Sequence, residues 1–258
     1  MPTEMPSGGS GATDEFLGID FARLSIGEAT KKVSLMAESD AFQYVVTPNV
    51  DHVVMLFPTL DNDRAVQFRA AYRTAALRVC DSRILRALGK LKGTDIATVP
   101  GSDLSASLFR DTFRAGHKVA IVGGDADTIS SLQRLYAGPD YVQHIPPMGI
   151  LANRPAIDAV VKFVEDERAD FTLFAIGAPQ SEIIAHRCAE EKRARGVGVC
   201  IGASIEFLLG HKARAPGWMQ RSGLEWAFRL VSEPRRLWRR YLVDGPRIFI
   251  MVAKWRRQ

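Results

Sequence analysis

Two short apolar runs of this chain end in polar residues of the kinds that enzymes use for acid–base chemistry and ligand binding. The run Tyr44–Val46 is followed by Thr47 and Asn49, and the run 75–80 is followed by Asp81. A carboxylate that follows a buried strand can serve as a general base. It can equally serve as the N-cap of the next helix. The position of Asp81 alone leaves both interpretations open.

Two further apolar runs end in loops rich in small residues. The run 118–122 leads into Gly123 and Gly124, which open a helical segment and could present backbone N–H groups to a phosphate. The alternative is a tight turn that requires positive φ angles. Neither a GxGxxG pattern nor a P-loop is present, which disfavours a dinucleotide dehydrogenase or an NTPase. After the run 171–176, the second loop supplies Gly177, Pro179, Gln180 and Glu182.

The apolar runs alternate with helical patterns along the chain. Strands are predicted at 44–46, 75–80, 118–122, 171–176 and 197–201, and helices at 51–60, 128–136, 156–168 and 181–194. This alternation of apolar strands with helices indicates an α/β fold in which helices cover both faces of a parallel sheet. Such folds bind ligands where the carboxyl ends of the strands meet. We therefore expect Thr47, Asn49, Asp81 and both glycine loops to share a pocket.

The cysteines and histidines do not form a metal-binding pattern. Three widely spaced cysteines without a Cys-x-x-Cys pair favour a reducing compartment and disfavour both a disulfide framework and a zinc site. The five histidines show no spacing typical of metal ligands. The sequence therefore predicts neither a metal nor a cofactor.

The C-terminal segment is basic and rich in tryptophan. Residues 211–258 carry twelve Lys or Arg against three Asp or Glu, a net charge of +9, so residues 1–210 sum to −4 in a chain of net charge +5. Cations beside aromatic rings suit an anionic membrane surface. A solvated helical pair or a nucleic-acid-binding stripe would have a similar composition. The residues assigned to membrane binding are Trp226, Arg235, Arg236, Trp238, Arg239, Arg240 and Trp255.

Changes in composition divide the chain into three parts. Residues 1–15 are small and polar with no apolar run, which predicts a disordered leader and no signal peptide. Residues 16–210 form the predicted α/β core, and residues 211–258 form a helical appendage. The run 248–253 is too short to span a bilayer, so any contact with a membrane is expected at its surface.

Further short motifs lie between and after the strand-end residues, from Val99 to Tyr241. They comprise Val99-Pro100-Gly101, Ile201-Gly202-Ala203, Arg214-Ala215-Pro216, Gly223-Leu224-Glu225-Trp226, Arg229-Leu230, Glu233-Pro234 and Arg239-Arg240-Tyr241. In this order, and together with the strand-end residues, they closely resemble the WecG/TagA/CpsF family of bacterial glycosyltransferases (glycosyltransferase family 26). The resemblance covers nearly the whole chain, from about Phe16 onward.

The resemblance implies a Rossmann-like sheet and an inverting, metal-independent transferase at the inner face of the bacterial plasma membrane. The donor would be a UDP-sugar. The acceptor would be a saccharide on a polyprenyl diphosphate, used for exopolysaccharide, capsule or cell-wall glycan. It further implies an anionic membrane surface as a partner, no nucleic acid, and self-association into a homo-oligomer.

The resemblance also implies roles for individual residues. Asp81 matches the candidate general base, and Thr47 and Asn49 match polar residues of the same pocket. The loop at Gly123 and Gly124 resembles part of the nucleotide site, and Gln180 to Glu182 falls among further donor contacts. Arg214 and Arg221 lie on the appendage, which would complete the site.

Two departures from the family pattern leave a second hypothesis open. Thr98 stands where the family usually has an arginine, and Gln180 stands where it usually has a lysine. Arg83 or Arg86 are candidates to replace the missing charge. The alternative hypothesis is a catalytically diverged relative that acts as a membrane-bound subunit of a polysaccharide assembly system.

Overall fold

In the computed structural model, which describes residues 12–213 and 215–256, the chain begins with a β-hairpin. Its antiparallel strands are β1 (Thr13–Phe16) and β2 (Ile19–Ala22). Asp14 and Phe16 are buried, and the Asp14 carboxylate accepts a hydrogen bond of 2.6 Å from Arg23. The predicted boundary of the leader at residue 15 therefore falls inside β1.

Six parallel strands form the central sheet in the order β4-β3-β8-β7-β5-β6. They are β3 (Gln43–Val46), β4 (Leu77–Arg78), β5 (Lys118–Gly123), β6 (Asp140–His144), β7 (Phe171–Ala175) and β8 (Val197–Cys200). The five predicted strands are confirmed. The edge strand β6 was not predicted, because three of its five residues are polar or charged and it lacks a continuous apolar run.

Helices cover both faces of this sheet. Those of the core are α1 (Ile26–Ala37), α2 (Val50–Leu56), α3 (Asp63–Thr74), α4 (Arg83–Leu91), α5 (Gly101–Ser107), α6 (Thr128–Leu135), α7 (Arg154–Glu167), α8 (Gln180–Glu191) and α9 (Ser204–Leu208). A π-helical turn, Leu108–Thr112, continues α5, and a 3-10 turn spans Ile150–Ala152. The predicted helix 51–60 ends earlier, at Leu56, two residues before Pro58, which has no N–H to donate.

Alternate residues of the strands enter two separate hydrophobic clusters. Val46, Phe174 and Cys200 lie in the cluster on one face, and their neighbours Leu173 and Val199 lie in the cluster on the other. Because successive side chains of a strand point to opposite faces, an apolar run of this kind must be covered twice. The predicted α/β fold with a helix-flanked parallel sheet is confirmed.

The appendage folds back onto the core. It contains α10 (Gly217–Arg221), α11 (Glu225–Ser232), α12 (Pro234–Trp238), a π-helical turn (Arg239–Asp244) and α13 (Arg247–Lys254). Ile248 and Val252 are buried in the same cluster as Phe16, and the Trp255 ring meets the Phe16 ring edge-on at 5.0 Å between centroids. None of the described helices combines the length and the apolar character needed to cross a bilayer.

Candidate active site

A cavity of about 490 Å³ lies between the carboxyl edge of the sheet and the appendage. The core contributes residues from the loops after β3, β4 and β8, including Thr47, Asp81 and Gly202. The appendage contributes residues of α11, of the turn Arg239–Asp244 and of α13. Both parts of the chain therefore contribute to the wall of the cavity.

Asp81 lines this cavity and is not the N-cap of α4, the helix that follows it in sequence. Its neighbour Ser82 is the N-cap of α4, since the Ser82 hydroxyl accepts a hydrogen bond of 3.2 Å from the N–H of Leu85. Oδ1 of Asp81 accepts a hydrogen bond of 2.6 Å from the N–H of Gly101, and Oδ2 lies 3.5 Å from Nδ2 of Asn49. Of the two interpretations of Asp81, the geometry supports a carboxylate held toward a ligand.

Burial raises the pKa of Asp81 to about 6. The Gly101 N–H, the positive charge of Arg229 and the Asn49 amide each lower this pKa, and the charge of Glu225 raises it. A carboxylate with a pKa just below neutrality is mostly ionised at pH 7, yet it accepts a proton more readily than an ordinary aspartate. Asp81 thus has the properties required of a general base.

Asn49 and Thr47 hold the loop that carries them. Oδ1 of Asn49 caps α2 by accepting hydrogen bonds from the N–H groups of Asp51 and His52, at 3.0 and 3.2 Å. This leaves Nδ2 directed toward Asp81. Oγ1 of Thr47 donates to the carbonyl of Cys200 at 3.2 Å, which ties the end of β3 to the end of β8. Both residues line the cavity, as predicted from their positions after β3.

Gly123 and Gly124 do not line the cavity. Their φ angles are +108° and +78°, and a Cβ on Gly124 would lie 2.5 Å from Oγ1 of Thr128. The Gly123 carbonyl accepts a hydrogen bond of 2.8 Å from Nε2 of Gln143. The positive φ angles fit a tight turn between β5 and α6, and a role of this loop in binding a phosphate stays a prediction.

The loop after β7 reaches the cavity through two of its residues. Ala178 and Glu182 line the cavity, whereas Gly177, Pro179 and Gln180 do not. Glu182 lies in the first turn of α8 and is 2% exposed. Burial raises its pKa to about 7. This part of the cavity therefore contains a second carboxyl group with altered acidity.

Arg229 and Arg240 bring positive charge from the appendage into the cavity. The Arg229 guanidinium lies 5.0 Å from the centre of the Phe207 ring and donates a hydrogen bond of 2.7 Å to Glu225. Nε of Arg240 lies 2.8 Å from Oδ2 of Asp51, the residue that follows the start of α2. These contacts connect α11 and the following turn to the core beside Asp81.

From the sequence, Arg240 is predicted to bind a membrane, and no role in the site is predicted for Arg229. The local signals at Arg229 are the Arg229-Leu230 motif and an i,i+4 pair with Glu225, and neither assigns it to the site. The fold-back of the appendage, which places both arginines in the cavity, has no local signature in the sequence. Trp226 also lines the cavity, where its ring lies 6.2 Å from that of Tyr241.

Of the residues predicted to bind a membrane, some are exposed and one packs against the core. Arg235, Trp238 and Arg239 are exposed, and Trp238 retains 51% of its accessible area. Trp255 packs instead against Phe16 in the core. Arg214 and the side chains of Arg221 and Arg236 lie outside the part of the chain that the structure describes.

The two residues that depart from the family pattern, Thr98 and Gln180, do not line the cavity. Thr98 forms an isolated parallel bridge with Cys80, and its hydroxyl is buried. Arg83 lines the cavity, whereas Arg86 lies beside Asp95, with Nε 3.2 Å from Oδ1. Of the two arginines considered as replacements, Arg83 is therefore the one placed to meet a ligand.

Within residues 12–213 and 215–256, no three His, Cys, Asp or Glu side chains are grouped so as to hold a metal ion.

The family model described as "Glycosyl transferase WecG/TagA/CpsF family" matches residues 15–258. This match begins within β1 and spans the sheet and the appendage, and with them every element that contributes to the cavity. The chain belongs to the WecG/TagA/CpsF family of glycosyltransferases, whose members act in glycan synthesis.

Proposed function

We propose that this protein moves a sugar from a UDP-sugar to a saccharide carried on a polyprenyl diphosphate. The transfer inverts the anomeric carbon and uses no metal ion. The product is a lipid-linked precursor of exopolysaccharide, capsule or cell-wall glycan. The observation that carries this proposal is the Asp81 carboxylate, which lines a cavity closed by the appendage and has a pKa raised to about 6 by burial.

In this mechanism Asp81 is the general base of a single displacement. Its Oδ2, which has the weaker of the two hydrogen bonds, takes the proton from an acceptor hydroxyl. The hydroxyl oxygen then attacks the anomeric carbon, and the bond from that carbon to the phosphate oxygen of UDP breaks. The bonding electrons leave with UDP, so charge builds up on the diphosphate as the transfer proceeds.

Cationic side chains of the cavity are suited to stabilise this developing charge. Arg83 comes from the core, and Arg229 and Arg240 come from the appendage. Guanidinium groups form paired hydrogen bonds with phosphate oxygens and remain charged at all physiological pH values. Donors fixed in a partly enclosed site stabilise a transition state more strongly than water does, because they need no reorganisation.

The exposed face of the appendage supports a role at an anionic membrane surface. Trp218 and Trp238 are 59% and 51% exposed, and Arg235 and Arg239 are exposed nearby in sequence. Aromatic insertion together with surface cations gives reversible binding to a bilayer. Binding of this kind would bring the enzyme to the inner face of the plasma membrane, where a polyprenyl-linked acceptor is found.

A donor panel tests the reaction. Purified protein is incubated with a polyprenyl-diphosphate-linked acceptor in vesicles and with individual UDP-sugars, and release of UDP is measured. We expect acceptor-dependent release with at least one donor. We expect Asp81→Asn to lower kcat/KM by about 10²- to 10⁴-fold, the usual contribution of a general base. Asp95→Asn, an exposed aspartate outside the cavity, should retain activity.

Two results would reject the proposal. A folded protein that releases no UDP with any donor is not the transferase described. Turnover that is unaffected by Asp81→Asn removes the proposed base. A protein that binds vesicles but turns over no donor would instead be the membrane-bound assembly subunit.

A further inference from the structure

Trp226 differs in its position from the other tryptophans of the appendage. It lines the cavity, whereas Trp218, Trp238 and Trp255 do not. The residue keeps 36% of its accessible area, so part of the indole remains open to a ligand. Binding pockets are commonly lined by aromatic rings of this kind, which offer a large and rigid contact area. The position of Trp226 therefore fits contact with a ligand.

A series of contacts that ends in the core holds the Trp226 ring. It meets the ring of Tyr241 at 6.2 Å between centroids, with 71° between the two planes. The Arg240 guanidinium lies 5.7 Å from the centre of the Tyr241 ring, and Nε of Arg240 is 2.8 Å from Oδ2 of Asp51 in α2. Edge-to-face aromatic contacts and cation–π contacts each favour one arrangement of the groups that they join. Trp226 is therefore positioned relative to the core as well as to its own helix.

Trp226 connects the surroundings of Asp81 with an exposed apolar part of the cavity wall. Its neighbour in sequence, Glu225, lies close to Asp81, since burial and then the charge of Glu225 raise the pKa of Asp81. Its neighbour in space, Tyr241, precedes Leu242, which lines the cavity and is 56% exposed. A ligand that extends from Asp81 to this apolar edge would run along Trp226.

The acceptor of the proposed reaction has this shape. Its reactive hydroxyl must meet Asp81 and its lipid chain must reach an apolar surface, so its saccharide lies between the two. One face of a pyranose ring presents C–H groups, which can pack against an indole while the hydroxyl groups at the ring edge stay free for hydrogen bonds. A uracil ring would also stack on an indole. In a UDP-sugar, however, the ribose and the diphosphate separate the uracil from the reacting carbon, and its polar edge does not match the apolar part of the wall.

We infer that Trp226 stacks against a pyranose ring of the acceptor saccharide and so places the reactive hydroxyl beside Asp81. The inference rests on the proposed function and deepens it, because it adds a residue that binds the acceptor. It also replaces the membrane-binding role that the sequence predicts for Trp226 with a role inside the cavity. A tryptophan has only two side-chain torsions, so ordering its ring on a ligand costs little conformational entropy.

The test compares Trp226→Leu, which keeps apolar bulk without the indole, with Trp226→Phe, which keeps an aromatic ring. UDP release is measured with a water-soluble acceptor on a short lipid chain, so that turnover does not require vesicle binding. We expect the KM for the acceptor to rise about 10-fold in Trp226→Leu and less than about threefold in Trp226→Phe. The KM for the UDP-sugar and the Kd for UDP should stay within about twofold of wild type in both variants. Val231→Ala, an exposed residue of the same helix α11 outside the cavity, should keep the wild-type KM values.

Vesicle sedimentation separates this role from membrane binding. Trp226→Leu should bind anionic vesicles as wild type does, whereas Trp238→Leu, at an exposed position outside the cavity, should bind them more weakly. An unchanged KM for the acceptor in Trp226→Leu overturns the inference, whether or not vesicle binding is lost. An equal loss of affinity for UDP also overturns it, because the uracil ring would then lie at Trp226. Failure of the proposed function is distinct from these results, because wild-type protein would then release no UDP with any donor.

Discussion

The two oxygens of the Asp81 carboxylate accept hydrogen bonds of unequal strength. The Gly101 N–H holds Oδ1 at 2.6 Å, whereas the Asn49 amide is 3.5 Å from Oδ2. The first contact fixes the orientation of the group, and the second leaves an oxygen free to accept a proton. Since burial also raises the pKa of Asp81 to about 6, one residue combines a defined direction with useful basicity.

A consequence at this residue is a pH dependence of the transfer. Asp81 must be ionised to act as a base, so kcat/KM should fall as the pH falls through about 6 and level off above it. The measurement is acceptor-dependent UDP release between pH 5 and 8. Asp81→Asn should abolish this acidic limb along with most of the rate. A limb that persists at the same pH in Asp81→Asn would assign it to another group.

Glu182 should make stability depend on pH. Its pKa is about 7 in the folded protein, against an ordinary value of 4.5. Between these values the folded state binds more protons than the unfolded state, so the free energy of unfolding falls as the pH rises from 4.5 to 7. At about 1.4 kcal/mol per pKa unit, the full cost above pH 7 is about 3 kcal/mol.

Urea denaturation of Glu182→Gln and wild type at pH 5 and pH 8 measures this cost. We expect the variant to gain stability relative to wild type by up to about 3 kcal/mol between the two pH values. The exposed Glu190→Gln should show no such gain. An equal difference at both pH values would mean that Glu182 titrates normally.

At the scale of the elements, the turn between β5 and α6 depends on the absence of a side chain. Gly124 has a φ of +78°, and a Cβ there would lie 2.5 Å from Oγ1 of Thr128. Gly177 has a similar φ of +77°, but its Cβ would meet open space. We expect Gly124→Ala to cost about 2 kcal/mol or more of unfolding free energy, and Gly177→Ala about 1 kcal/mol. Equal losses in urea denaturation would contradict a steric role for Thr128.

The pairing of Arg240 with Asp51 joins the appendage to α2. Burial raises the pKa of Asp51, and the charge of Arg240 opposes this. Removing the arginine leaves a half-buried carboxylate unpaired, so Arg240→Met should cost about 2 kcal/mol, discounted from a fully buried pair because both side chains are partly exposed. Arg239→Met, at an exposed neighbouring position, should cost less than about 0.5 kcal/mol. Adding Asp51→Asn should recover much of the Arg240→Met loss, and an additive double variant would argue against the pair.

Features set by neighbouring residues could be predicted from the sequence, whereas features set by contacts between distant residues could not. Continuous apolar runs identified β3, β5, β7 and β8, because burial on both faces demands them. The ends of β3 and of the predicted strand 75–80 then located Thr47, Asn49 and Asp81. The polar edge strand β6 and the hairpin lack this signal. The positions of Arg229 and Arg240 were not predictable, because they depend on where the appendage folds back over residues far away in sequence.

Across the whole molecule, charge is divided between an acidic core and a basic appendage. Residues 211–258 carry a net charge of +9 and residues 1–210 a net charge of −4. Part of the positive charge faces the cavity, at Arg229 and Arg240, and part is exposed, at Arg235 and Arg239. We therefore expect the arginines of the cavity to affect turnover and the exposed arginines to affect membrane binding.

Vesicle sedimentation tests this division. Replacing Arg235 and Arg239 by Gln should weaken binding to anionic vesicles by about 30-fold, since each surface cation contributes about 1 kcal/mol. Adding Trp238→Ala should weaken it further. Trp255→Phe should leave vesicle binding unchanged, because the Trp255 ring packs against Phe16. Equal effects of Trp238→Ala and Trp255→Phe would refute the distinction between exposed and packed tryptophans.

The contact between Trp255 and Phe16 joins the first and last described elements of the chain. Proteins are synthesised from the N-terminus, so this contact and the appendage wall of the cavity form only after Trp255 has left the ribosome. A nascent chain that has completed the sheet still lacks Arg229, Arg240 and the helices around them. A product that stops short of the appendage would therefore lack these walls of the cavity, and under the proposed function we expect it to release no UDP.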